Sequence, residues 1–225
     1  MRRAGGSRAI RIAAIMAAVI LVLLVVAQIV LPRVAASRIS SRVGRYGHVQ
    51  HVSVSAFPAI ELLWGDADSV QVKAGALNLA PGQAVSVLRE GAGVSRIDVS
   101  ASSVHVGKFA LTDAVLRKRG AQVSAHAHAT RAAIAASLGP GVGVRLLGSE
   151  GGRVRVAATG SLFGVGTTVT AVAESDEGQL VVHPEGFLFE GFRLTLFKDP
   201  HLHIVAVAAT PNGSGYVLGM TALLR

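Results

Sequence analysis

The histidines come closest to chemistry in this sequence. His126 and His128 stand two residues apart, as do His201 and His203. On a strand each pair turns both imidazoles to one face, which is half of the ligand set that a structural zinc site requires. No cysteine is present to complete either set. His126 and His128 share their face with Gln122 and Ser124, the polar side of that stretch. Both pairs read as ordinary surface or core histidines, and no metal or other cofactor is expected. The glycines at 139, 141 and 143 lack the downstream glycine and preceding strand of a nucleotide loop, and there is no G-x-S-x-G elbow or P-loop. The carboxylates are scattered, with no pair standing out as an acid/base couple beside a histidine. The expectation is binding without catalysis.

Apolar chemistry is more concentrated. Four of the seven phenylalanines, Phe187, Phe189, Phe192 and Phe197, fall within eleven residues. They suit either a core strand pair or the wall of a lipid cavity, since ligand pockets are mostly apolar and aromatic. Phe57, next to Pro58, forms a second candidate lip with Leu62 and Trp64. These seven residues are the candidate lipid contacts.

The element that must position them comes first in the chain. Ile12 to Leu31 is twenty residues without a charge. As a helix it spans roughly 30 Å, the thickness of a bilayer's hydrocarbon core. It is read as a retained transmembrane anchor closed by Pro32, because the run exceeds a signal-peptide core and no convincing cleavage site follows. The expected organisation is a cytoplasmic basic arm (1–11), the anchor (12–31), a juxtamembrane basic segment (32–46) and an extracytoplasmic domain (47–225). Of 22 Lys and Arg, eight precede residue 46, where there is no Asp or Glu. The domain beyond is close to neutral, which removes the basic patch that nucleic-acid binding needs. Arg38, Arg42 and Arg45 recur at helical spacing and are the candidate contacts to anionic headgroups; a solvated linker is the alternative.

After Gly47 the apolar period changes from helical to alternating. Val52–Ala56, Val70–Ala74, Ile97–Ala101 and Val123–Ala127 read as strands, with a bulge near Ser102-Ser103 where the apolar parity slips. Ile60–Trp64 reads as a short helical turn. Pro81 suits the start of a helix carrying Ala84, Val85 and Leu88 on one face, and Thr130 suits the cap of an Ala-rich helix to Leu138. Gly-rich turns at 150–152, 176–178 and 211–215 predict three hairpins. Around them, Leu202, Ile204 and Ala206 oppose Val205 and Val207, and Phe192, Leu194 and Leu196 oppose Phe197, so both faces of these strands need cover. The fold class is α+β: a β-dominated domain with a curved antiparallel sheet and two or three helices.

The stretch VSVSAFPAIELLWGDADSVQVKAGALNL, Val52 to Leu79, resembles the opening of the LmeA-like phospholipid-binding proteins of bacterial cell envelopes. Phe57, Pro58, Gly65, Val70 and Val72 match that pattern, while Ala56 replaces its usual glycine and Ala59-Ile60 a bulkier pair. The resemblance implies a tubular lipid-binding fold, in which a curved sheet wraps helices and encloses an apolar groove. It also implies phospholipid as ligand and a supporting role in building mannose-containing envelope lipoglycans, with an envelope-biosynthesis protein as a further partner. It assigns no binding residue, because the matching positions are structural. The alternative from another class is a non-catalytic accessory or scaffold subunit whose apolar strands pack on a protein partner.

Overall fold

The computed structural model describes residues 6–57, 62, 67–80, 82–138, 141–162, 165–186 and 191–225, with side chains from residue 22 onward except at 24, 84, 161, 162 and 165. Phe187, Phe189, Trp64 and most of the predicted 60–64 turn lie outside the described residues.

A long helix, α1 (Gly6–Val43), opens the chain and contains Pro32. The expectation that Pro32 ends the helix is therefore corrected. The turns beyond Pro32 stay helical because they have a surface to pack on. Ala35, Ala36, Ile39 and Val43 recur at three- and four-residue spacing and lie against a core of Val54, Val70, Val72 and Ile97. Among the described residues, no helix is long and apolar enough to cross a membrane; part of the predicted span Ile12–Leu31 lies where side chains are not described.

The rest of the domain is built on two sheets. The first contains β1 (Gly47–Ser55), β2 (Ala67–Leu79), β3 (Val94–Val106), β4 (Phe109–Arg119), β5 (Gln122–Thr130), β11 (Leu202–Asn212) and β12 (Gly215–Leu224). Its order is β1-β2-β3-β4-β5-β12-β11. The second contains β6 (Gly143–Glu150), β7 (Arg153–Leu162), β8 (Val165–Asp176), β9 (Gln179–Pro184) and β10 (Leu194–Phe197), in the order β10-β9-β8-β7-β6. The domain is thus β-dominated, with two sheets in place of the single one expected and, among the described residues, no closed barrel. One pairing departs from the antiparallel expectation: β2 and β3 run parallel. Parallel neighbours need a crossover, and α2 (Gln83–Glu90) supplies it. The third helix, α3 (Arg131–Leu138), is capped as expected, Ala133 N donating to Thr130 Oγ1 at 3.1 Å.

The register lays out the inner face of the first sheet in rows. One row runs Val70, Ile97, Lys118, Val123, Ala222 and Ile204 across neighbouring strands. Two residues along the strands, the next runs Val72, Val99, Leu116, Ala125 and Met220. Beyond it lie Ala74, Ala101 and Ala114 on one side, Ala127, Leu218 and Ala209 on the other. Past Ala101 the inward positions shift to Val104, and the neighbouring strands step with it, to Leu77 and Leu111. The bulge predicted near Ser102-Ser103 is thus corrected: pairing keeps its register past this point on both sides of β3, and the inward positions shift on three strands together.

β11 corrects the expectation of two apolar faces. Its register shifts between Ile204 and Ala206, so Leu202, Ile204, Val207 and Ala209 are all buried while Val205 is half exposed. The bulge re-aims the chain and one face collects the apolar residues. The outer edge of β11 is covered by turns of the second sheet: Val207 N donates to Gly152 O and Ile204 N to Gly178 O. These contacts satisfy backbone groups that a bare edge would expose. Gly178 has φ +81°, and a Cβ there would lie 2.0 Å from His203 Nδ1, so the turn needs glycine.

Candidate functional site

The inward rows of the first sheet bound a groove of about 600 Å³ that is partly open to solvent. Lining residues come from six of the seven strands of the first sheet, from β2 across to β11 in the sheet order. Five strand spacings stretch roughly 24 Å across a sheet, and the groove takes residues from all six of these strands. Val85 and Leu88 of α2 close one end against Val123 and Ile204. These two helical residues are buried on one face, as their spacing predicts. The second sheet adds Val154, Ala173, Leu180 and Phe197 as a side wall. At the far end stand Leu79, Val106, Phe109 and Leu111, with Phe109 half exposed.

The groove is hollow for a reason visible in the residue types. Ala101, Ala114, Ala125 and Ala127 point inward where neighbouring positions carry Val or Leu. A methyl group in place of an isobutyl group leaves room that no described helix fills. The surface so created is almost wholly apolar, and among the described residues His126 is the one ionisable residue bordering it. It can hold a hydrocarbon chain. Among the described residues there is no group of three or more metal-binding side chains.

Just beyond the closed end is a buried cation. Lys118 stands in the inward row, 2 % exposed, and its ammonium donates to Ala92 O at 3.2 Å and to Val94 O. These carbonyls belong to the turn joining α2 to β3, so Lys118 fastens the crossover over the groove. Burial pushes its pKa below the ordinary 10.5 by desolvating the charged form.

The candidate residues from the sequence are dispersed. Phe197 lines the groove. Phe192 is 61 % exposed, as are Leu194 and Leu196 to a similar degree, and none of the three borders the cavity. Phe57 is 80 % exposed, and Leu62 packs against the cluster beneath α1. Arg38, Arg42 and Arg45 are exposed on or just after α1, and Arg42 pairs with Glu90 at 3.1 Å. Sequence reasoning missed β4 altogether. Asp113 adopts φ +50° at a register shift and Lys118 takes a core position, which interrupts the apolar alternation of FALTDAVLRKR. The remaining signal was the pair Leu111 and Leu116, too little to mark a strand that forms the middle of the groove.

No curated protein and no solved structure matches the chain. A family model described as LmeA-like phospholipid-binding matches residues 22–200, from within α1 to the turn before β11. This match covers most of the chain and all of the second sheet. The chain therefore belongs to the LmeA-like phospholipid-binding family.

Proposed function

We propose that this protein is a membrane-anchored cell-envelope component that binds phospholipid by enclosing acyl chain in the groove, without chemistry of its own. The observation that carries this reading is the apolar cavity of about 600 Å³, well inside the roughly 300–1,000 Å³ typical of ligand sites. Each methylene transferred from water into such a groove contributes about 0.8 kcal/mol, so partial enclosure of one chain supports micromolar binding before ordering costs. Family membership supports phospholipid as the ligand. Phe197 is the aromatic contact on the second-sheet wall. The apolar run Ile12–Leu31 supports a single-pass anchor with the domain extracytoplasmic, and the family resemblance supports a tubular architecture and a place in envelope lipid or lipoglycan construction.

Native mass spectrometry of the full-length chain released from mild detergent tests the reading. Co-purified phospholipid at one per chain is expected, whereas a clean apo protein that also takes up no added phospholipid sinks it. The full chain is the right sample, because trimming to residue 46 would strip Ala35, Ala36, Ile39 and Val43 from the core. The second reading, a scaffold subunit that packs on a protein, is favoured by one observation. β10 is the outer strand of its sheet and exposes Leu194 and Leu196 beside Phe192, the kind of apolar edge that partners cover.

A further inference from the structure

The course of α1 gives the domain two unlike ends. Ala35, Ala36 and Ile39 pack only on the cluster that holds Val54, Ala67 and Val94, where β1 finishes and β2 and β3 begin. Val43 reaches the next cluster, around Leu77 and Val104. The helix therefore enters at the end of the sheet carrying Val94 and runs toward the end carrying Val106. It is unbroken from Gly6 to Val43, and only about 6 Å of helical rise separates Leu31 from Ala35. No flexible linker intervenes between the apolar run and the packed turn.

The entry end is strongly basic. Arg96 and Arg119 face each other across β3 and β4, with Arg117 beside them and Arg225 at the adjoining end of β12. All four are exposed. Asp98 partners both Arg119, at 2.7 Å, and Arg117, at 4.0 Å, so one carboxylate serves two guanidiniums. Arg33 and Arg38 are exposed on the incoming helix. The same end presents Phe57, 80 % exposed, held by a bond from its backbone N to Asp68 Oδ2 at 2.8 Å. Phe57, just past β1, lies within three strand spacings, about 15 Å, of Arg96, Arg117 and Arg119, and Arg225 lies two spacings further along the same edge. An exposed aromatic ring beside a ring of arginines is the composition that suits the headgroup layer of an anionic bilayer.

We infer that the strand-end surface formed by Phe57, Arg96, Arg117, Arg119 and Arg225 lies against an anionic bilayer, with the Phe109 end of the groove directed away from it. The orientation rests on the anchor reading; the charge and the exposed ring do not. A bilayer is the fitting occupant because the basic groups are spread across several strand ends rather than gathered around a pocket. α1 also delivers its apolar run to that same end, within the few ångströms that the headgroup layer occupies.

The chain has no cysteine, so single labels are straightforward to place. Full-length Ser95→Cys and Lys108→Cys, each carrying a fluorophore, mark the entry end and the opposite hairpin tip; both sites are exposed. The proteins are mixed with vesicles of phosphatidylcholine, with or without phosphatidylglycerol, that contain a headgroup-quencher lipid. Quenching at Ser95 several-fold stronger than at Lys108 is expected, and more so with phosphatidylglycerol. Adding Arg96→Glu and Arg117→Glu should weaken the anionic preference by tenfold or more, since each basic group at such a surface is worth about a fivefold change in binding. Equal quenching at the two sites, or stronger quenching at Lys108, overturns the inference, as does an anionic preference untouched by the charge reversals. Flotation with neutral vesicles at high salt reports the anchor separately, and co-purified lipid reports the groove. A chain that fails to float yet shows Ser95-directed quenching at low salt supports the basic surface and counts against the anchor alone.

Discussion

Over β4, β5 and β12, adjacent rows of the first sheet have opposite fates. In the row Val70, Ile97, Val123, Ala222 and Ile204, every side chain is buried, covered by α1 over β1–β3 and by Val85 and Leu88 over β5 and β11. Two residues along the same strands, Leu116, Ala125 and Met220 face an open groove. Backbone pairing continues through both rows, so the difference lies in side-chain volume and in where the helices stop. A sheet face becomes a container where small residues occupy it beyond the reach of the helices that cover the rest.

The largest effect that could break this comparison is a truncation in the packed row. Ile97→Ala should cost about 2–5 kcal/mol, lowering Tm by roughly 4–15 °C in a domain of this size. Leu116→Ala, one strand over and one row down, should cost less than half as much in a thermal melt, because its face already borders open space. Equal losses would mean that the groove is filled in solution.

Filling the groove should do the reverse. Ala125→Leu and Ala127→Leu each add three carbons to the cavity and should displace a similar length of acyl chain. The expected loss of phospholipid affinity is about tenfold or more at ~0.8 kcal/mol per methylene, with Tm little changed or raised. Titration with a fluorescent phospholipid measures it. A variant that binds as tightly as the parent places the acyl chain elsewhere.

Smaller still is the contrast between two phenylalanines five residues apart. Phe197→Ala should weaken lipid binding several-fold, whereas Phe192→Ala should leave it unchanged, since the Phe192 ring borders solvent rather than the groove. If the two substitutions act alike, the second sheet is not a wall of the cavity.

The smallest expected effect is a pH dependence at the packed row. Lys118 binds protons less readily in the fold than in the unfolded chain, because burial lowers its pKa from 10.5. Its desolvation penalty is fully present below the lowered pKa and fades as pH rises toward 10.5. Denaturant melts should therefore show the parent gaining stability relative to Lys118→Met as pH rises from neutral into that window. A difference independent of pH would contradict a buried charge held only by the Ala92 and Val94 carbonyls.

The sequence made some of this arrangement legible and hid the rest for identifiable reasons. The hairpins at 150–152, 176–178 and 211–215 were readable because their turns need positive φ and carry Gly152, Gly178 and Gly213. α2 was readable from Val85 and Leu88, and the change of inward face past Ala101 from a parity slip, although the bulge expected with it is not there. The phospholipid family could be recognised from Phe57, Pro58, Gly65 and the alternating valines. The groove could not, because alanine is compatible with packed and hollow faces alike. The four clustered phenylalanines drew attention to β10, yet the groove is built mostly from β3, β4, β5, β11 and β12. β4 was invisible because its inward row includes a lysine. α1 continued past Pro32 because its next turns found a core to pack on, a tertiary effect that local signals do not carry.

The most direct test of the groove is photocrosslinking of the full-length chain with a phospholipid carrying a diazirine near the end of one acyl chain. Peptide mapping should place the adducts on groove residues such as Leu116, Ala125, Leu218 and Met220, with competition by unlabelled phospholipid. Adducts confined to Phe57, Phe192 or Leu194 on the exterior, or adducts that unlabelled lipid does not compete, would contradict an acyl chain held in the groove.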